Sequence, residues 1–174
     1  MPLSAEDIQK AFSELSDGLA QRGERAQIAI TGGAALVLLF NARQTTKDVD
    51  VFIVQPDPPL LREAAVEVAR KLELPEDWLN DGAKGYFTAI SEGEVVYESS
   101  FLLVRAVTTE QLLGMKLAAW RDAIDRSDAR LLLSRLSGSA EEIWHRVEPF
   151  VPRGYVDKAS YAYDDLWESM YGNS

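Results

Sequence analysis

Cysteine is absent from this 174-residue chain, and histidine occurs once, at His145. The first absence excludes a disulfide framework, a thiolate nucleophile, a zinc finger and an iron–sulfur cluster, and the second excludes a histidine-rich metal site. Long apolar runs are missing too. The longest, Ala34 to Phe40, is far short of the roughly 20 residues that cross a bilayer. Met1 to Ala11 lacks the basic, apolar character of a secretion signal, so a soluble cytoplasmic protein with no membrane association is expected. Positive charge is scarce: 18 Lys and Arg stand against 28 Asp and Glu, a net charge of −10. That balance argues against a broad cationic face for nucleic acid, so a polyanionic ligand would have to be held locally, with a metal's help.

What is present is a globular composition, 47% hydrophobic and 26% charged, without internal repeats, low-complexity stretches or a linker. A single domain over residues 1–174 is expected. Ser4 and Asp7 open a helix on which Ile8, Phe12, Leu15 and Leu19 recur at helical spacing, ending near Gly23. Gln27 to Thr31 reads as a strand, and Gly32-Gly33 breaks it before a helix from Ala34 to Phe40. Asp48 to Val54 reads as a strand with one end exposed and its apolar end buried. Asp57 is expected to cap a helix carrying Leu61, Ala64, Ala65, Val68 and Leu72. Trp78 to Gly82 reads as a turn, followed by strands at Tyr86–Ile90, Val95–Glu98 and Phe101–Val107. Helical periodicity then takes over: Thr108 or Thr109 caps Glu110–Trp120, a second helix covers about Asp125–Leu136, Ser139 and Glu142 form a capping box, and an aromatic terminal helix follows Tyr155. The expected fold is α/β (α+β), a mixed sheet flanked by helices over residues 1–107 and a helical C-terminal part over 108–174.

Chemistry concentrates at Asp48 and Asp50. Residues two apart on a strand share a face, with Cα atoms roughly 6.5–7 Å apart. Two carboxylates held together repel, and a hard divalent cation with oxygen ligands, Mg²⁺ or Mn²⁺, is the usual compensation. A solvent-facing half-strand with two unremarkable aspartates accounts for the same pattern. Gly32-Gly33 follows a strand and opens a helix, where bare backbone can approach a phosphate and helix N–H groups can donate to it; such a pair also serves simply as a turn. Together, a phosphate cradle and a metal-binding pair on adjacent strands would suit a nucleoside triphosphate. Arg43 and Arg121 can grip phosphate in two-pronged fashion or brace an aspartate. Thr45 and Thr46 can orient Asp48 by hydrogen bond. Lys116, Asp125 and Asp128 read either as functional groups or as partners on amphipathic helices, with Asp125 four residues from Arg121. His145 is taken as structural, and Trp78 and Trp120 as core or pocket-wall aromatics. Lys47, Lys84, Arg43, Lys116 and Arg121 are the cations that would have to gather at a pocket mouth for RNA to approach.

The stretch GGAALVLLFNARQTTKDVDVF, Gly32 to Phe52, resembles the signature of the nucleotidyltransferase superfamily. Its R-x-T-x-K-D-V-D form, Arg43 to Asp50, is most similar to bacterial AbiEii/AbiGii-toxin-like domains and minimal nucleotidyltransferases of toxin–antitoxin systems. Trp78-Leu79-Asn80-Asp81 and LLGMKLAAWRDAIDRSD, Leu112 to Asp128, resemble the same group, so the likeness runs from about Ile28 to Leu136.

The resemblance implies a nucleotidyltransferase-like sheet and a metal-dependent transfer of an NMP group from an NTP to an RNA or protein acceptor, as in toxin–antitoxin components. Asp48 and Asp50 would hold the metal as catalytic acids, Gly32 and Gly33 would carry the phosphates, Lys116 would neutralise the triphosphate and Asp128 would position it, with Arg43 and Arg121 as further nucleotide ligands. A cognate antitoxin or other partner protein is also implied. Such enzymes usually add a third carboxylate from a later strand. Glu94 and Glu98 are the only acids available there and neither falls in a motif. A catalytically silent protein of the same fold that binds another protein is the alternative.

Overall fold

In the computed structural model, which describes residues 1–82 and 89–172, an α+β chain divides into a sheet-bearing unit and a helical unit. Within the described residues the first comprises 1–82 with 92–107, and the second 89–91 with 108–172.

The first unit opens with a two-residue strand β1 (Leu3–Ser4) and helix α1 (Ala5–Arg22). Ser4 Oγ accepts the Asp7 N–H while the Asp7 carboxylate accepts the Ser4 N–H, and Gly23 closes the helix at a φ of 65°. Strand β2 (Ala26–Ile30) leads into α2 (Gly32–Leu39); β3 (Thr45–Thr46) and β4 (Val49–Gln55) follow, then α3 (Pro58–Leu72), β5 (Leu79–Asn80), β6 (Val95–Glu98) and β7 (Leu102–Ala106). Five strands make one mixed sheet in the order β5-β4-β2-β7-β6, and β1 pairs with β3 in a small second sheet. β2 runs antiparallel to β4, with Ile30 opposite Val51, and parallel to β7. Helices α1 and α3 pack together, and Phe12, Leu15, Ile28, Ile30, Val51 and Trp78 are among the buried side chains. Trp78 Nε1 donates to Ala65 O at 2.9 Å, so its one polar atom is satisfied inside the core.

The second unit contains α4 (Thr109–Ala119), α5 (Ala123–Ser134), α6 (Ala140–Val147) and α7 (Val156–Tyr171). Thr108, Asp122 and Ser139 cap the first three through side-chain oxygens. The buried amide of Gln111 accepts from the N–H and hydroxyl of Ser91 and donates to Ala89 O, tying residues 89–91 to α4. An aromatic ladder, Trp144, Tyr163, Trp167 and Tyr171, joins α6 and α7, with successive centroids 5.2, 6.1 and 4.6 Å apart.

Four local expectations change. β4 buries Val49 and Val51 and leaves Val54 half exposed, because β5 pairs only with Val49 and Asp50, so beyond them β4 has a strand partner on one side alone, β2. The carboxylate of Asp57 caps nothing: Pro59 has no N–H to offer, and the Leu60 N–H goes to Asp57's own carbonyl at 3.2 Å. Leu79–Asn80, read as a turn, is strand β5, parallel to β4. Of the strand expected at Tyr86–Ile90, residues 86–88 lie outside the described residues, as does Lys84, and Ala89 and Ile90 are not in a strand.

Candidate functional site

β2 ends beside the start of β4, and the Thr31 N–H donates to Asp50 O at 2.9 Å, extending the ladder to the glycine turn. Gly32 then takes a φ of 59°, the left-handed region that favours glycine. A Cβ on Gly32 would lie 3.1 Å from Asp50 Oδ2, so the Asp50 carboxylate sits directly against the turn. Gly33 is as crowded: a Cβ there would overlap Thr46 Oγ1 and approach Arg43 Nη1 to 3.4 Å. Thr46 is buried, and its hydroxyl donates to the carbonyl oxygen of Asp48 at 3.1 Å. It therefore braces the backbone of Asp48 rather than its carboxylate.

Gly33, Arg43, Thr45, Lys47 and Asp48 line one cleft of about 470 Å³, which Met1 and Pro2 border. Two cations and a carboxylate thus face the same concavity at the first turn of α2, whose leading N–H groups have no partners within the helix. Asn80 stands in the Trp78–Asp81 motif that resembles the family, but nothing in the sequence places it beside Asp50. β5 pairs with β4 in parallel, Val49 opposite Leu79 and Asp50 opposite Asn80. Laterally paired residues share a face, so Asp50 and Asn80 lie on one side of the sheet, with Asp48 one residue ahead of β4; the Asn80 side-chain oxygen accepts the Gly82 N–H at 2.8 Å. The β-prone pair Trp78-Leu79 was the available signal.

Glu94 and Glu98 are exposed at the opposite edge of the sheet. β2 and β7 separate β6 from β4, three strand spacings or ~14 Å. Among the described residues no group of three or more histidines or carboxylates converges in the manner of a metal cage. Asp48 and Asp50 alone still match the donor set of Mg²⁺, which binds through one or two carboxylates and completes its octahedron with water and substrate phosphate oxygens.

Lys116, Arg121 and Asp128 belong to the helical unit and form a cluster of their own. Lys116 Nζ lies 3.1 Å from Asp125 Oδ1 and 2.8 Å from Asp128 Oδ2, and both carboxylates are buried. Arg121 donates to Asp125 Oδ2 from its backbone N–H at 3.1 Å and from Nε at 3.3 Å. Burial opposes ionisation of Asp125, but the hydrogen bonds from Arg121 and Lys116 outweigh it and hold the carboxyl below its usual value. Arg121 thus braces an aspartate, one of the two roles read for it. His145 is exposed on the last turn of α6.

No protein-family model matches the chain, and no curated protein matches it.

Proposed function

We propose that the sheet-bearing unit carries the active site of a metal-dependent nucleotidyltransferase that moves an NMP group from an NTP to an RNA or protein acceptor. The observation that carries this reading is the contact between Gly32 and the Asp50 carboxylate. A phosphate held by the N–H groups of the turn would lie within a few ångströms of that carboxylate, so one cation could touch both. Mg²⁺ or Mn²⁺, held by Asp48 and Asp50, would neutralise the triphosphate and lower the pKa of the acceptor oxygen.

The chain's own residues have separate tasks. Gly32 and Gly33 bring backbone donors to the phosphates without side chains in the way. Arg43 and Lys47, in the same cleft, add positive charge for the polyphosphate, and Arg43 can grip two oxygens at once. Thr46 holds the glycine turn against the backbone of Asp48. In the helical unit, Lys116 Nζ is paired with Asp125 and Asp128, and a role for it toward the triphosphate rests on the sequence resemblance alone. A role in a toxin–antitoxin pair, with a cognate partner protein, belongs to the same proposal and rests on the sequence resemblance.

A second reading, nucleotide binding without transfer, is favoured by the place of Glu94 and Glu98 three strands from β4, which leaves two acids beside the turn where an active enzyme would use three. One experiment separates the readings. The chain is incubated with Mg²⁺ and each α-labelled NTP together with total RNA and protein, beside Asp48→Asn/Asp50→Asn. Label incorporated by the wild type and lost in the variant supports the enzyme. NTP binding with no incorporation supports the silent protein, and absence of Mg²⁺-dependent NTP binding removes both.

A further inference from the structure

Helix α5 sorts its charges by face. Asp125 and Asp128 turn inward to Lys116, whereas Arg126 and Arg130, one turn apart, are exposed. Among the described residues neither guanidinium is ion-paired with a carboxylate, in a chain of net charge −10. Both face a groove of about 450 Å³ between α5 and α7, lined also by Trp120, Ser127, Asp165 and Ser169. The Arg126 guanidinium sits over the Trp120 ring, 5.6 Å from its centroid, and Arg130 Nη2 donates to Ser169 Oγ at 3.2 Å. Lys158, outside that lining, donates its ammonium to Ala119 O at 2.8 Å.

We infer that this groove is a binding site for one nucleotide unit. Three features select that chemistry. Two arginines on one face offer paired donors to a phosphate, with the Ser127 hydroxyl beside them. The half-buried Trp120 ring, with the Arg126 guanidinium 5.6 Å from its centroid, offers a base an aromatic and cationic surface on which to stack. The volume falls in the range of small-ligand clefts. Inward placement of Asp125 and Asp128 leaves the groove locally cationic in spite of the acidic chain, with Asp165 as the one opposing charge in its lining. A nucleotide unit can come from a free mononucleotide or from an RNA strand, and the probes distinguish these sources. The site is independent of the nucleotidyltransferase reading, since all its residues lie in the helical unit.

The full chain is titrated with 5′-AMP by calorimetry and with a short fluorescein-labelled RNA of mixed sequence by anisotropy. Arg126→Gln/Arg130→Gln should weaken binding about tenfold or more and, for RNA, flatten the salt dependence by about one phosphate contact. Asp165→Asn should tighten it severalfold, a gain that misfolding cannot imitate. Binding should persist in EDTA without divalent cation, which separates this site from the metal-dependent one. AMP binding with these responses assigns a mononucleotide site, and RNA binding alone assigns a strand unit. The inference is overturned if neither probe binds at about 1 mM, if the arginine variant binds as the wild type does, or if Asp165→Asn weakens binding.

Discussion

Gly32 and Asp50 are locked together: the carboxylate oxygen Oδ2 occupies the space beside the Gly32 Cα, 3.1 Å from where a Cβ would be. Gly32→Ala therefore meets two costs, a left-handed backbone that an L side chain adopts at a penalty of about 1–2 kcal/mol and displacement of the acid. Gly23→Ala provides the control, because Gly23 has a φ of 65° with nothing within 4 Å. Urea denaturation should show a larger loss for Gly32→Ala than for Gly23→Ala, the excess being the cost of moving the acid. Only Gly32→Ala should weaken Mg²⁺-dependent NTP binding, by about tenfold or more.

Thr46 fills the space beside Gly33, so the two positions should be energetically coupled. Gly33→Ala alone is expected to cost about 1–3 kcal/mol through overpacking, and Thr46→Ala about 1 kcal/mol through the lost bond to Asp48 O. The double variant should cost less than the sum by about 1 kcal/mol, because removing the hydroxyl makes room for the new methyl. Additive unfolding free energies would show that the turn relaxes independently of Thr46.

Much of this was legible in the sequence where a local rule decides the outcome. Ser4 with Asp7 and Ser139 with Glu142 mark helix starts because each side chain bonds only within its own turn. Gly32-Gly33 between a strand and a helix, and two acids on the next strand, likewise indicate a turn and a shared face. The meeting of turn and acid was less accessible, since it depends on the register that sets Ile30 opposite Val51. β5 escaped notice because two residues carry no periodicity and gain strand geometry only from their pairing with β4. The buried half of β4 was misjudged because burial follows the flanking strands rather than the run of apolar side chains.

Lys116 joins two buried carboxylates, so replacing it should be far more damaging than replacing an exposed lysine. Lys116→Met leaves Asp125 and Asp128 without their shared partner and should cost about 3–5 kcal/mol in chemical denaturation. Adding Asp125→Asn and Asp128→Asn to that variant should restore part of the loss, because the buried charges that Lys116 had balanced go with them. A triple variant no more stable than Lys116→Met would mean that packing rather than charge dominates the cluster.

Asp125 also sets an acid limit. Its folded pKa lies below the ordinary 3.8, since hydrogen bonds to the carboxylate from Arg121 and Lys116 outweigh the opposing effect of burial. A depressed carboxyl stabilises the fold above its unfolded pKa, and that contribution disappears as the pH falls through the folded value. Stability followed by denaturation from neutral pH downward should therefore drop more steeply below about pH 4 in the wild type than in Asp125→Asn. Parallel acid limbs would remove Asp125 from the account.

At the alkaline end the sign reverses at Tyr163. Burial, reinforced by the negative charge of Asp164, pushes its phenol up from 10.0 to about 12, and the hydroxyl donates to Ala140 O at 2.7 Å. The neutral form is the one the fold holds. Its contribution is intact below the unfolded pKa and is lost as the pH climbs from there through the folded value, because the unfolded chain releases the proton first. Tyr163→Phe should be about 1 kcal/mol less stable at neutral pH, the worth of one hydrogen bond. It should lack the phenol's share of the alkaline decline, so the gap between variant and wild type narrows from pH 10.0 toward about 12. Ultraviolet titration of phenolate should show a late-ionising component in the wild type that Tyr163→Phe removes. A late tyrosine that persists in Tyr163→Phe would assign the shift to another ring of the ladder.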